Sequence, residues 1–154
     1  MGCCITLRCC AAALVYFKEY CFGSHAGKMI PDHFCHAPII VGRCFKTGEI
    51  FYALDGALFL HKTFYSLVEK EIDLLVLDGT TGDYEGDYRL CEHNSIPLIR
   101  LMLPSMRTVS MIKKDTLVYL SHLAPSLHKS HEETVAICEK FGAKVAYDGL
   151  KTEI

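Results

Sequence analysis

IDLLVLDG, residues 72–79, decides how the rest of the chain is read. Its first six residues hold one polar side chain, Asp73, and no apolar-polar alternation. That is the pattern of a strand covered on both faces, as in parallel or mixed sheets with a layer on either side. The run stops on Asp78-Gly79, a common turn dipeptide. Upstream, residues 39–45 (IIVGRCF) and 50–54 (IFYAL) are β-type runs joined by KTGE, a hairpin signature. Helical spacing at Phe64, Leu67 and Val68 lies between that hairpin and the central strand. Downstream, Ser95 can cap a helix predicted to run through Met102, with Pro97 tolerated in its first turn. Residues 117–120 (LVYL) form the next expected strand. Ser130-His131-Glu132-Glu133 is a capping box ahead of Val135, Ile137 and Cys138, and Gly142 ends that helix. Residues 143–147 are a last strand. Strands and helices alternate without repeat or linker, which predicts one α/β unit from about residue 36 onward.

Composition narrows the function classes. A chain of 154 residues, 51% hydrophobic and 22% charged, has the size and apolar content of a folded domain with a core. A net charge of -2, with no basic stretch interleaved with aromatics, leaves no footprint for nucleic acid. Residues 3–17 are largely apolar, but Arg8 interrupts them and they fall short of the roughly 20 residues of a helical membrane span. The charge lies inside the run and not ahead of it, unlike a signal peptide. MGCCIT matches the myristoylation pattern, Gly2 followed by Thr6, with Cys3 and Cys4 open to palmitoylation. A buried strand or helix start is the plainer reading. The nine cysteines are odd in number, four in two adjacent pairs (Cys3-Cys4, Cys9-Cys10) and the rest scattered; Cys44 and Cys138 fall in apolar segments, where a free thiol acts as a small hydrophobe. The expected setting is reducing and cytoplasmic.

Functional groups in layered α/β folds gather where strands end. Three β runs here end on a polar residue: Asp55, Asp78 and His122. His36 precedes the IIVGRCF run, and His93 lies in the loop before the Pro97 helix. Imidazoles with a carboxylate suit a borderline-soft divalent ion such as zinc, which makes hydroxide available at neutral pH. Plainer readings stand beside this one. Asp78 is a turn residue, a strand-end histidine is a satisfied polar group, and His128 and His131 flank a helix start and are expected to face solvent. YALDGALF and LVLDGTTG look like a haloacid-dehalogenase signature, but Ala53 and Val76 stand where its aspartate nucleophile belongs.

In the order of these elements, the chain resembles the metallo-β-lactamase-fold hydrolases, in particular the PhnP-type phosphodiesterase branch, over residues 33–154. HAPIIVGRCF offers a histidine ahead of the hairpin, IFYALDGA ends the hairpin on an aspartate, and DLLVLDGTTGD follows. CEHNS, LVYLSHL and the closing AYDGLKTEI complete the series. The resemblance implies an α/β fold that is the C-terminal half of an αββα sandwich: one mixed sheet with helices on its outer face. It implies divalent metal, zinc or manganese, as two ions in the intact family. His36 then binds one ion, Asp55 bridges, His122 binds the second, and His93 faces the substrate phosphate as acid or orienter. His33 rivals His36. The family's His-x-His-x-Asp-His motif is absent, and residues 1–32 lack the strand alternation and loop glycines of the other half. The expectation is therefore a truncated chain, with residues 1–32 of uncertain fold and 33–154 a half-domain. Its activity on a small phosphodiester-like substrate would be impaired. The alternative is a non-catalytic half-domain that oligomerises or binds a partner through an exposed apolar sheet face.

Overall fold

The computed structural model of the chain describes residues 4–6, 16–17, 28–30, 39–44, 48–59, 61–85 and 92–153. In chain order its strands are β1 (Cys4–Thr6), β2 (Tyr16–Phe17), β3 (Lys28–Ile30), β4 (Ile39–Cys44) and β5 (Gly48–Ala53). Helix α1 (His61–Leu67), β6 (Ile72–Asp78), α2 (Ile96–Thr108) and β7 (Ile112–Ser121) follow. Helix α3 (His131–Glu139), β8 (Lys144–Val145) and β9 (Lys151–Glu153) close the chain. Six strands form one mixed sheet in the order β3-β4-β5-β6-β7-β8, and β2-β1-β9 form a second, small sheet.

The expected hairpin is β4–β5, antiparallel with Val41 opposite Phe51 and Cys44 opposite Gly48. From β5 onward the sheet is parallel, so β5, β6, β7 and β8 all end at the same edge. Strand β6 lies in the middle, and Leu74, Leu75, Val76 and Leu77 are each 0% exposed. This fits the unbroken apolar run, since a strand covered on both faces has no polar side to show. On one face Phe51, Ala53, Leu75, Leu77, Val118 and Leu120 pack against Leu67, Ile99, Leu103, Met106 and Cys138 of the helices.

Local signals hold where they were strongest. The Ser95 hydroxyl accepts from the Leu98 N–H at 3.3 Å and caps α2. Both halves of the capping box at Ser130 and Glu133 form, and Gly142 follows α3 with a left-handed φ of 82°. Helix α2, though, runs on to Thr108 through Pro104, past the expected end at Met102. A proline inside a helix costs about 3 kcal/mol. Burying Leu103 and Met106, each 1% exposed, returns about 1.5–3 kcal/mol apiece and offsets that cost. Strand β7 starts earlier than residue 117, because its polar N-terminal part is anchored sideways: Lys113 pairs with Asp73, and Thr116 donates to the Ile72 carbonyl.

Three differences concern the N-terminal third and the second sheet face. Strands β1, β2 and β3 fall within residues 1–32, and β3 extends the main sheet by pairing with β4. The alternative reading has an exposed apolar sheet face; Ile50, Tyr52, Leu74, Val76 and Tyr119, on the face away from the helices, are each 5% exposed or less. Strand β9, absent from the sequence reading, reaches this face, where the Tyr119 hydroxyl donates to the Thr152 hydroxyl at 3.2 Å. Among the described residues no helix is long and apolar enough to cross a membrane. Gly2, Cys3, His33 and His36 lie outside the described residues.

Replacing Leu77 by Ala is expected to cost about 2–5 kcal/mol in urea unfolding, whereas Leu101→Ala on the exposed side of α2 should change stability by less than about 0.5 kcal/mol. Equal effects would contradict this placement of the core.

Candidate metal centre

The shared edge of the parallel strands carries the polar groups. Strand β5 ends and the chain reaches Asp55, β6 ends on Asp78, and β7 ends one residue before His122. His93 comes from the loop leading into α2. One ligand atom from each of Asp55, Asp78, His93 and His122 lies within 4.8 Å of the others. The sequence reading had assigned Asp55, His93 and His122 roles here, and the fold brings all three together. It adds Asp78, which the sequence placed at a strand end but to which no ligand role was assigned.

Asp78 organises the group. Its side chain is 0% exposed. Oδ1 accepts the Thr80 N–H at 2.9 Å, which is the turn the dipeptide foretold. Oδ2 faces His93 Nδ1 at 3.0 Å and His122 Nδ1 at 3.2 Å, and accepts the Gly56 N–H at 3.3 Å. One carboxylate oxygen thus draws together the loop after β5, the loop before α2 and the end of β7. Asp55 Oδ1 stands 3.8 Å from His93 Nδ1, and the two imidazoles lie side by side with ring centroids 5.7 Å apart.

The tautomer of His122 follows from its neighbours. The Thr80 hydroxyl donates its single hydrogen to the His122 carbonyl at 2.8 Å, so towards the ring it offers a lone pair. His122 Nδ1, 2.8 Å from that oxygen, therefore carries a hydrogen and donates to Thr80 and Asp78. When the ring is neutral, Nε2 is left with a free lone pair. A carboxylate behind one ring nitrogen with the other free is the arrangement that holds metal-binding histidines.

Charge follows the same pattern. Burial alone would push the Asp78 carboxyl up, but hydrogen bonds from His122, the Thr80 N–H and His93 outweigh it and hold its pKa below the ordinary 3.8. His122 is moved the opposite way. Its hydrogen bond to Asp78 raises the pKa above 6.5 despite desolvation, helped by the charges of Asp78 and Asp55.

Backbone conformation marks the same two strand ends. Asp55 and His122 have φ of 55° and 58°, left-handed values that non-glycine residues seldom adopt. Glu69, Glu71 and Ser110 do so too, in turns remote from the cluster, so left-handed backbone alone does not mark a site. At Asp55 and His122 it coincides with side chains that belong to the cluster around Asp78.

The donor set fits a divalent ion: two carboxylates and two imidazoles suit zinc, manganese or iron chemically. Ligands about 2.0–2.2 Å from one ion lie roughly 3.3 Å apart, and one ligand atom from each of the four residues lies within 4.8 Å of the others. His128, expected to face solvent, is instead partly buried, and its Nε2 donates to the Gly79 carbonyl at 2.8 Å. His131 is exposed as expected, with its ring 6.1 Å from that of Tyr147.

No protein-family model matches the chain, and no curated protein matches it in sequence. Among solved structures it is similar to a new diphosphatase from the PhnP family, with a TM-score of 0.55 and 20% identity. The likeness covers 86% of this chain and 46% of that one, so the chain spans about half the length of the diphosphatase. At this identity it is the fold that is shared: a mixed α/β layer matching a metallo-β-lactamase-like half-domain.

The Asp78–His122 pair makes stability depend on pH in a stated direction. Folded His122 holds its proton more tightly than the unfolded chain does, so its contribution is complete below pH 6.5 and is lost as pH rises through the higher folded value. Asp78 contributes above pH 3.8, and that part is lost as pH falls through its lower folded value. Urea unfolding in chelator from about pH 5 to about pH 9 should show stability falling above pH 6.5, with Asp78→Asn abolishing the fall. A flat wild-type profile would contradict the pairing.

Proposed function

We propose that the chain is a metal-dependent hydrolase of phosphodiester-like substrates. The observation that carries this is the gathering of Asp55, Asp78, His93 and His122 at the ends of adjacent parallel strands. Support also comes from the fold shared with a PhnP-family diphosphatase. A divalent ion, zinc or manganese, held there would supply a water of lowered pKa and offset charge on phosphate oxygens. Asp55 and His122 are the residues proposed to hold it. Asp78 keeps the His122 ring turned with Nε2 outward, and its hydrogen bonds leave both imidazoles little freedom. His93 stands at the side of the cluster facing Asp55, where it passes a proton or orients the phosphate. His36, assigned by resemblance to a first ion, lies outside the described residues; it remains part of the proposal as a further ligand. A reducing, cytoplasmic setting accords with Cys138, a free thiol buried in the core and raised to a pKa of about 11 chiefly by desolvation.

A second reading has its own support. The His-x-His-x-Asp-His motif is missing, and the chain spans 46% of the related structure. A half-domain of this kind would bind a partner or self-associate without turnover.

Calorimetric titration with zinc or manganese and hydrolysis of bis(p-nitrophenyl) phosphate separate the two. Asp55→Ala and His122→Ala should abolish both ion binding and turnover. Asp78→Asn should weaken ion binding about 10–100-fold. His93→Ala should keep the ion and lose about 10²–10⁴-fold in kcat. Wild-type protein that binds neither ion at micromolar concentration would rule out the hydrolase and favour the partner-binding half-domain.

A further inference from the structure

The loop that follows Asp78 and the loop that follows His122 are locked into each other. The Gly79 N–H donates to the Ser121 carbonyl at 2.9 Å, and the Thr80 hydroxyl donates to the His122 carbonyl at 2.8 Å. Leu123 lies over Gly79 so closely that a Cβ there would stand 3.0 Å from its methyl carbon. Further out, Gly82 has a φ of 62° and sits against the Leu127 carbonyl, with no room for any side chain. Lys129 pairs with Asp83 at 3.6 Å on the rim.

His128 closes this interlock across 49 residues of sequence, its Nε2–H donating to the Gly79 carbonyl at 2.8 Å. Its other nitrogen, Nδ1, is buried and has no hydrogen-bond partner among the described residues. A buried acceptor left unpaired is unfavourable, and an apolar side chain would avoid it. The bond to the Gly79 carbonyl offsets part of that cost, and the Thr80 backbone adds to that offset. Burial lowers its pKa despite that bond, so the ring is neutral with its proton on Nε2, as the donation to Gly79 requires.

We infer that His128 is a positioning residue: by holding the Gly79 carbonyl it fixes the segment from Asp78 to Thr80 against the end of β7, and so sets the orientation of His122. What His122 is oriented for rests on the metal-dependent reading above; the positioning itself does not.

The test uses the full chain free of metal, labelled with ¹⁵N. His128→Leu and His128→Phe remove the donor; His128→Gln places an amide N–H where Nε2 was. In the Leu and Phe variants, amide exchange at Gly79 and Thr80 should speed up about tenfold or more. The Nδ1–H signature of the His122 ring should change with it, while the thermal midpoint stays close to that of His128→Gln. The Gln variant should restore both signals. Unchanged Thr80 exchange and His122 shifts in Leu and Phe, or identical behaviour of Gln and Leu, would overturn the role. If Leu fails to fold, Phe, which keeps the bulk, decides. Zinc titration of the same variants tests the metal reading separately. Wild-type protein that ignores zinc while His128→Leu still loses Thr80 protection removes the metal and leaves the positioning role standing. Zinc binding that is equally tight in Leu, Gln and wild type, with unchanged exchange, removes the positioning role and leaves the metal.

Discussion

One buried oxygen governs the functional edge of this fold. Asp78 Oδ2 meets the Gly56 N–H and the Nδ1 atoms of His93 and His122, while Oδ1 holds the Thr80 N–H. A fully buried carboxylate is tolerable only when such partners outweigh its desolvation, and here they do, since its pKa is lowered. The same bonds that make the carboxylate affordable place Asp55, His93 and His122 around it. Stability and site geometry are two consequences of one set of contacts.

The parallel sheet explains why these groups meet at all. Strands β5, β6 and β7 are neighbours running in one direction, in register from Ala53–Leu77 to Leu77–Leu120, so their last residues emerge side by side. Between them lies a core of leucine and valine that leaves little slack for the strand ends to shift. Left-handed backbone at Asp55 and His122 turns each side chain back over the sheet edge. Such conformations persist only where surrounding structure enforces them. The bonds from Gly56 to Asp78 and from Thr80 to His122 do that enforcing.

Much of the fold was legible because its signals are local. The hairpin turn, the IDLLVLD run, the Ser95 cap and the Ser130–Glu133 box each act within a few residues of themselves. What escaped depends on distant partners. Helix α2 outruns Pro104 because Leu103 and Met106 are buried by the sheet, and the polar start of β7 is held by Asp73 on a neighbouring strand. At the site, the strand-end residues Asp55 and His122 could be named from pattern. Asp78 was half-read: its turn bond to Thr80 lies two residues away, whereas its other oxygen gathers groups 15 to 44 residues away, which no dipeptide announces. His128 looked like a bystander for the same reason, its partner lying 49 residues back.

The central claim is that a buried Asp78 sets His122 beside Asp55 so that the two can hold a divalent cation. Anomalous diffraction from crystals equilibrated with zinc addresses it most directly. The account predicts a peak about 2.0–2.2 Å from an Asp55 oxygen and from His122 Nε2, with Asp78 still hydrogen-bonded to Nδ1. No peak at this edge, or zinc held only by cysteine thiolates elsewhere, would contradict it.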